Sequence, residues 1–372
     1  MKNENKITIL DRESFPLLLD LLSKKGYELY GPTIDNDSLI YDRIKTTEDL
    51  PIGWKDNQGP GQYRLEKSNK KTIFAYTVGF QSWKKILHPA HERLWDATLE
   101  GKGFAIHTPG DDISPKALLG VRSCELEALK IHDKILMEGP HTDSHYQHRR
   151  KNIFIVAVNC TQPGGTCFCA SMNTGPKAQS AFDLSLTEIM EADKHYFTVA
   201  AGSEIGIEIL QGLPVRDASH EEIAIADKAM ERSVKKMGRT LKTKGLKELL
   251  LENFDNPHWE KISERCLTCG NCTLVCPTCF CVNVEDTTDL SGQKAERWNH
   301  WDSCFIKDFS YIHGGSIRIS AASRYRQWLM HKLAYWVDQF GTFGCVGCGR
   351  CITWCPAGID ITEEADAIIK NV

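Results

Sequence analysis

Cys266-Leu-Thr-Cys269-Gly-Asn-Cys272-Thr-Leu-Val-Cys276-Pro277 is an unbroken C-x2-C-x2-C-x3-C-P run. Cys345-Val-Gly-Cys348-Gly-Arg-Cys351-Ile-Thr-Trp-Cys355-Pro356 repeats it without a gap. This is the bacterial ferredoxin pattern for [4Fe–4S] clusters, in which the fourth cysteine of each run ligates the other cluster. Three thiolates on one tight loop reach three corners of a cubane, and the fourth corner needs a ligand from farther away. The spacing therefore assigns Cys266, Cys269, Cys272 and Cys355 to one cluster, and Cys345, Cys348, Cys351 and Cys276 to the other. Gly270, Gly347 and Gly349 keep side chains out of these loops and leave backbone N–H groups free to bond cluster sulfurs. Zinc also takes four thiolates, but usually from paired C-x2-C halves. Two complete four-cysteine runs ending in proline argue against it.

Outward from these runs, the chain has 372 residues and 15 cysteines, an odd number in a protein far larger than domains that depend on disulfides. The start, Met1-Lys2-Asn3-Glu4-Asn5-Lys6, is polar and leads into no long apolar stretch, so no secretory signal is expected. The strongest apolar run, Ile153–Val158, is too short to cross a bilayer. A reducing, cytoplasmic setting follows, in which cysteines serve as metal ligands. With 45 basic and 49 acidic side chains the formal charge is −4, and the chain lacks the basic excess of a nucleic-acid binder.

The expected fold is an α/β N-terminal domain over residues 1–255, followed by a ferredoxin-like α+β domain over 256–372 that carries two clusters. Apolar runs at Phe104-Ala105-Ile106, 117–121, Ile153–Val158 and 196–200 read as buried strands, and their alternation with helical segments predicts a mainly parallel sheet. Ser123 is the expected cap of one following helix, and Ser203 precedes another. Ser219 and Glu222 have capping-box spacing before a third. Residues 50–70, rich in Gly and Pro, read as a surface loop, and the basic stretch 235–247 as a solvated face or linker. Asn256-Pro257 marks a new helix start.

Between the two runs lies an insert at about 280–343, expected to be helical. Tyr325, Trp328, Leu329, Leu333, Trp336, Val337 and Phe340 share one face of it, and Gly341 stands at its end. Arg318, Arg324, Arg326, His331 and Lys332 could bond a cluster or a partner's acidic surface, and a solvated role is the one expected. The insert also holds Cys279, Cys281 and Cys304, which the ferredoxin pattern leaves unassigned.

In the first domain, Cys160, Cys167 and Cys169 follow the strand Ile153–Val158 on a loop turned by Pro163-Gly164-Gly165, and Cys124 follows the strand at 117–121. Loops at the carboxyl ends of neighbouring parallel strands converge on one site. Two readings of these four thiols stand: ligands of a third [4Fe–4S] cluster, or buried and inert core residues. Cys279, Cys281 or Cys304 could replace one of the four. No G-x-G-x-x-G, G-x-x-x-x-G-K-[ST] or H-E-x-x-H is present. His141, His145 and His148 fall in a polar stretch that reads as a solvated loop, and no nucleophile–base pair stands out. Catalytic residues are therefore assigned to none of the chain.

Several segments together resemble one family: Gly120-Val-Arg-Ser-Cys124-Glu-Leu, Asn159-Cys160 to Cys169 with Thr174-Gly175-Pro176, and Cys276-Pro-Thr-Cys279-Phe-Cys281. Trp301-Asp-Ser-Cys304, Arg324-Tyr-Arg-Gln-Trp328 with His331-Lys332, and the last cysteine run belong to the same likeness. The family is the iron–sulfur beta subunit of soluble multi-subunit NiFe hydrogenases of the sulfhydrogenase type, together with its iron–sulfur counterpart in anaerobic sulfite reductase. The resemblance covers most of the chain from about residue 100 onward. It implies an electron-transfer subunit between a flavoprotein that binds flavin and NAD(P) and a hydrogenase or sulfite reductase catalytic module. It implies two [4Fe–4S] clusters on the eight C-terminal cysteines and favours a third at Cys124, Cys160, Cys167 and Cys169 without fixing its ligands. The competing reading is a catalytic subunit whose α/β domain binds flavin or substrate.

Overall fold

A computed structural model describes residues 6–101, 103–108, 114–191 and 194–370; the start of the chain, on which the signal-peptide reading rests, lies largely outside them. The strands Leu184–Glu191, Ile153–Val158, Lys116–Val121 and Glu28–Asp35 lie side by side in that order and pair in parallel. Ser38–Arg43 adds an antiparallel strand on one side, and Lys194–Ala201, Thr8–Asp11 and Arg216–Asp217 continue antiparallel on the other. The eight-stranded sheet is therefore mixed, and only its centre matches the expected parallel arrangement. Lys194–Ala201 departs from that expectation because it turns straight back on Leu184–Glu191, with Glu191 opposite Lys194. So short a connection joins only antiparallel strands.

The central strands bury both faces. Phe154, Val156 and Val158 meet Leu18, Leu22 and Ile209 on one side, while Ile155 and Ala157 meet Leu126, Leu129 and Tyr146 on the other. That period of two places the helices Phe15–Lys24 and Glu204–Gln211 on the first face, and Ser123–Leu136 and Ser144–Lys151 on the second. At Gly120 (φ +85°) the register with Ile153–Val158 shifts, so Val121 rather than Gly120 continues the face of Leu118. The chain then enters its helix with Arg122 in the capping position, one residue before the expected Ser123. Ser123 Oγ instead donates to Lys177 O at 3.1 Å. Ser203 and Ser219 do cap the helices Glu204–Gln211 and His220–Lys235.

Two polar stretches have more order than their composition suggests. Residues 50–70 contain the hairpin Trp54–Gly59 and Gln62–Lys67, turned at Pro60-Gly61. His145 and His148 lie on the helix Ser144–Lys151. Conversely, Phe104 and Ile106 are 61% and 69% exposed, so the strand Gly103–His107 is not buried. It is the edge of a four-stranded antiparallel sheet with His91–Glu100, Lys294–Trp301 and Val282–Thr288.

The segment between the cysteine runs thus opens with two strands of that sheet. Its later part is helical: Ala321–Met330, a widened π turn at His331–Tyr335, and Trp336–Phe340, ended by Gly341 at φ +69°. Tyr325, Trp328, Leu329, Leu333 and Trp336 are buried as their spacing predicts. Packing runs across residue 255, because Leu241, Leu246 and Leu250 share a core with Trp259, Ile262, Leu329 and Ile352. The basic stretch joins this contact through Arg239, which donates to Asp360 Oδ2 at 2.5 Å.

Candidate metal centres

Each cysteine run folds as a loop followed by one helical turn, Asn271–Leu274 or Arg350–Thr353, whose capping residue is a left-handed glycine, Gly270 or Gly349. Cys266, Cys269, Cys272 and Cys355 line one cavity together with Cys351 of the other set, walled by Phe305, Tyr325, Trp328 and Ile359. Asn271 Nδ2 donates to Trp354 O, tying the first run to the residue before Cys355. Cys269 is exposed, and its neighbour Leu267 is 66% exposed, so this cavity lies at the molecular surface.

The fourth cysteine of the first run turns toward the second run. Thr278 Oγ1 donates to Gly344 O at 2.8 Å and accepts from Lys332 Nζ at 2.6 Å, while Cys276 Sγ stands 3.1 Å from the same hydroxyl. Gly344 N donates back to Lys332 O at 2.9 Å, fixing the approach to Cys345. Gly347 N donates to Cys345 Sγ at 3.4 Å, a backbone-to-sulfur bond of the kind the glycine content predicts. A hydrogen bond from the Cys279 thiol lowers the pKa of Cys276, with help from the Lys332 ammonium, and the same bond together with burial raises that of Cys279. Burial pushes Cys345 up to about 12 and Cys351 well above the thiol range. Such buried thiols become thiolates when a metal takes them as ligands.

The first-domain thiols gather beside this second set. Cys124 opens the helix Ser123–Leu136 and Cys160 leaves the strand Ile153–Val158, whose partner is the adjacent parallel strand Lys116–Val121. Cys124, Cys169 and Cys348 share one buried cluster with Ala128, Ile131 and Trp336. The loop carrying Cys167 and Cys169 lies against the second run: Phe168 N donates to Gly347 O at 2.8 Å, and Thr174 Oγ1 to Val346 O at 2.6 Å. Glycine is required there by the close approach as well as by the turn. A Cβ at Gly349 would stand 2.4 Å from Thr166 O, and one at Gly347 2.7 Å from Cys169 N. Burial raises the pKa of Cys124 and Cys169, and that of Cys160 despite Arg122 beside it.

Five cations of this region are buried, and the sequence reading named only Arg324 and Lys332 among them. Arg350, inside the second run, is ion-paired with Glu125, both side chains 1% exposed, and donates to Gly79 O and Gln81 O. Arg122 donates to Phe74 O and Tyr76 O. Lys84 Nζ donates to Cys276 O at 3.3 Å and Cys279 O at 3.1 Å, and burial lowers its pKa to about 8. Lys332 and Arg324 are buried where solvation was expected. Lys332 stands four residues after Trp328 and four before Trp336, on the apolar face, which is the signal that could have shown it. Lys84 and Arg122 carry no comparable mark.

The donor set suits iron–sulfur clusters: soft thiolates on glycine-bearing loops, in apolar walls, with backbone N–H groups and buried cations nearby. All fifteen cysteines are among the described residues, and each is a free thiol. Among the described residues, no three His, Cys, Asp or Glu side chains crowd together as ligands of a single ion do. A cubane spreads its thiolates over separate corners and does not need that crowding. No helix among the described residues is long and apolar enough to cross a membrane.

The 4Fe-4S dicluster domain family matches residues 265–359, which enclose both runs. Sulfhydrogenase 2 subunit beta of Pyrococcus furiosus is 36% identical over 367 residues, covering 98% of this chain and 98% of that protein. Similarity of that extent takes in the α/β half together with the cysteine-rich half, and the chain belongs to the family of iron–sulfur sulfhydrogenase beta subunits.

Proposed function

We propose that this chain relays electrons within a cytoplasmic oxidoreductase complex, between an NAD(P)H-linked flavoprotein and a NiFe hydrogenase module. The observation that carries the reading is the pairing of two complete ferredoxin runs with near full-length similarity to a sulfhydrogenase beta subunit. Cys266, Cys269, Cys272 and Cys355 hold one [4Fe–4S] cluster; Cys345, Cys348, Cys351 and Cys276 hold the other. When bound, the clusters supply one-electron carriage. The chain supplies their ligands and apolar walls, the Lys332–Thr278 link beside Cys276, and the Gly347 N–H on Cys345. These groups tune potential through hydrogen bonding, burial and charge. Cys124, Cys160, Cys167 and Cys169 are the candidate ligands of a third cluster, beside the Cys348 set. Exposed Cys269 makes the Cys266 set the one open to a redox partner.

A polar cavity lined by Lys55, Asp56, Lys70, Glu188, Arg232 and Lys236 favours the second reading, a subunit that binds flavin or substrate itself. Anaerobic purification separates the two. The relay reading expects a flavoprotein and a hydrogenase subunit to copurify, and the isolated chain to hold no flavin and turn over no substrate with an artificial donor. Bound flavin or turnover by the isolated chain would contradict it, and a copurifying sulfite reductase subunit would reassign the catalytic module.

A further inference from the structure

The cavity of Cys266, Cys269, Cys272 and Cys355 opens beside an apolar surface that the fold leaves uncovered. Leu267 lines that cavity, and Ile306 follows Phe305, which walls it. Tyr311–Ile312 and Gly315–Ser316 then pair as a short hairpin, and Ile317 and Ile319 come directly after it. Leu267, Ile306, Tyr311, Ile312, Ile317 and Ile319 are between 49% and 67% exposed.

The backbone that carries them is tied down at several points. Thr273 Oγ1 donates to Ser303 Oγ at 2.7 Å, which fixes the segment to the first cysteine run. Ile317 N donates to Ser310 O at 3.1 Å and Arg318 N to Ser310 Oγ at 3.0 Å, closing the base of the hairpin. Arg324 Nη1 donates to Arg318 O and Ile319 O, joining its exit to the helix Ala321–Met330. Large apolar side chains are thus held outward on an ordered loop. Soluble proteins seldom leave such a concentration of apolar surface in water unless another surface covers it.

The chemistry of the collar selects the kind of cover. Between Cys304 and Ile319 only Lys307, Asp308 and Arg318 carry full charge. Diffusible electron carriers dock through small contacts steered by charge, whereas subunits that stay together meet through larger and more apolar faces. Exposed Cys269 stands at the same edge, so whatever sits on the collar also sits on the opening of the Cys266 set.

We propose that this collar seats a permanently bound redox subunit of the complex, a different chain that presents an apolar face with its own redox centre behind it. The proposal rests on the reading that the Cys266 set holds the outer cluster of a relay. Seating a subunit there brings two centres together and removes water from around Cys269.

The test places a photoactivatable cross-linking residue at Ile312 or at Ile319 in the anaerobically purified complex. A covalent link from either position to a different subunit that carries a redox cofactor is the expected result. Links only to a second copy of this chain, links only to a subunit without a redox centre, or no link from either position would overturn the proposal. Ile317→Glu gives a second measurement, because an unpaired carboxylate would be buried in the contact. Recovery of the linked subunit after gel filtration should fall about tenfold or more, with the cluster signals in electron paramagnetic resonance unchanged. Undiminished recovery would overturn the proposal, and if the variant loses its cluster signals the cross-link, made with Ile317 intact, decides. Cys266→Ser tests the reading beneath: one cluster signal should be lost, and an unchanged spectrum would refute the outer cluster whichever chain is linked.

Discussion

Arg350 is flanked in sequence by Gly349 and Cys351, yet its side chain belongs to the other half of the molecule. It pairs with Glu125 on the helix that begins beside Cys124, and it donates to two carbonyls of residues 79–81. Removing one partner of a buried ion pair strands the other charge, so Arg350→Met should destabilise the protein by about 3–5 kcal/mol. The midpoint of anaerobic urea unfolding measures this, and a loss under about 1 kcal/mol would show that Glu125 finds other compensation. Gly347 makes a second residue-level case. At φ +62° and with a Cβ position 2.7 Å from the backbone of Phe168 and Cys169, Gly347→Ala should loosen the first-domain loop from the second run. Faster amide exchange at Phe168, whose N–H is bonded to Gly347 O, is the expected readout; unchanged exchange would mean that the loop is held elsewhere. The cysteine runs were legible because cluster ligation fixes residue type and spacing together. The cations were not, since burial of Lys84 or Arg122 depends on contacts nearly 50 or more residues away in sequence, which local pattern does not encode.

Among the elements, the strands and helix caps followed their sequence signals more closely than sheet direction or exposure did. Ile153–Val158 and the Ser219–Glu222 capping box stand where the pattern puts them, because period and capping chemistry are local. The antiparallel flanks and the exposed edge strand Gly103–His107 depend on which strands meet, and the alternating hairpin at 54–67 hides under turn-rich composition. The capping box allows a direct test on His220–Lys235. Ser219→Ala should cost about 1 kcal/mol, read as reduced amide-exchange protection of that helix. Glu222 is held down to about 2 by its hydrogen bonds from Arg216, with help from Ser219. A depressed carboxylate contributes fully above its unfolded value of about 4.3 and loses that contribution as pH falls toward the folded value. The protection lost in Glu222→Gln should therefore match at pH 8 and pH 6 and be smaller at pH 4; a constant difference at pH 4 would contradict the linkage. The Cys160–Cys169 loop gives the element-level test of the third site. Cys167→Ser should lower the iron content by about four per chain if the four first-domain thiols hold a cluster, and an unchanged count would make that loop a docking surface only.

Across the whole molecule, two halves that read as separate domains are joined at the cysteine runs. The α/β half supplies Glu125 to Arg350, Lys84 to the carbonyls of Cys276 and Cys279, and a thiol-bearing loop to Cys348. The cysteine-rich half in turn supplies two strands of the sheet that includes His91–Glu100. Exposed Cys269 stands at one edge of this cysteine-rich region. The central claim is that the two runs exchange their fourth ligands, Cys276 serving the 345–351 set and Cys355 the 266–272 set. Cluster-resolved spectroscopy of Cys276→Ser, purified anaerobically beside the wild type, tests it most directly. The account predicts that the cluster of the distant 345–351 run is lost or altered while that of Cys266, Cys269, Cys272 and Cys355 remains; selective loss of the nearer cluster would contradict it.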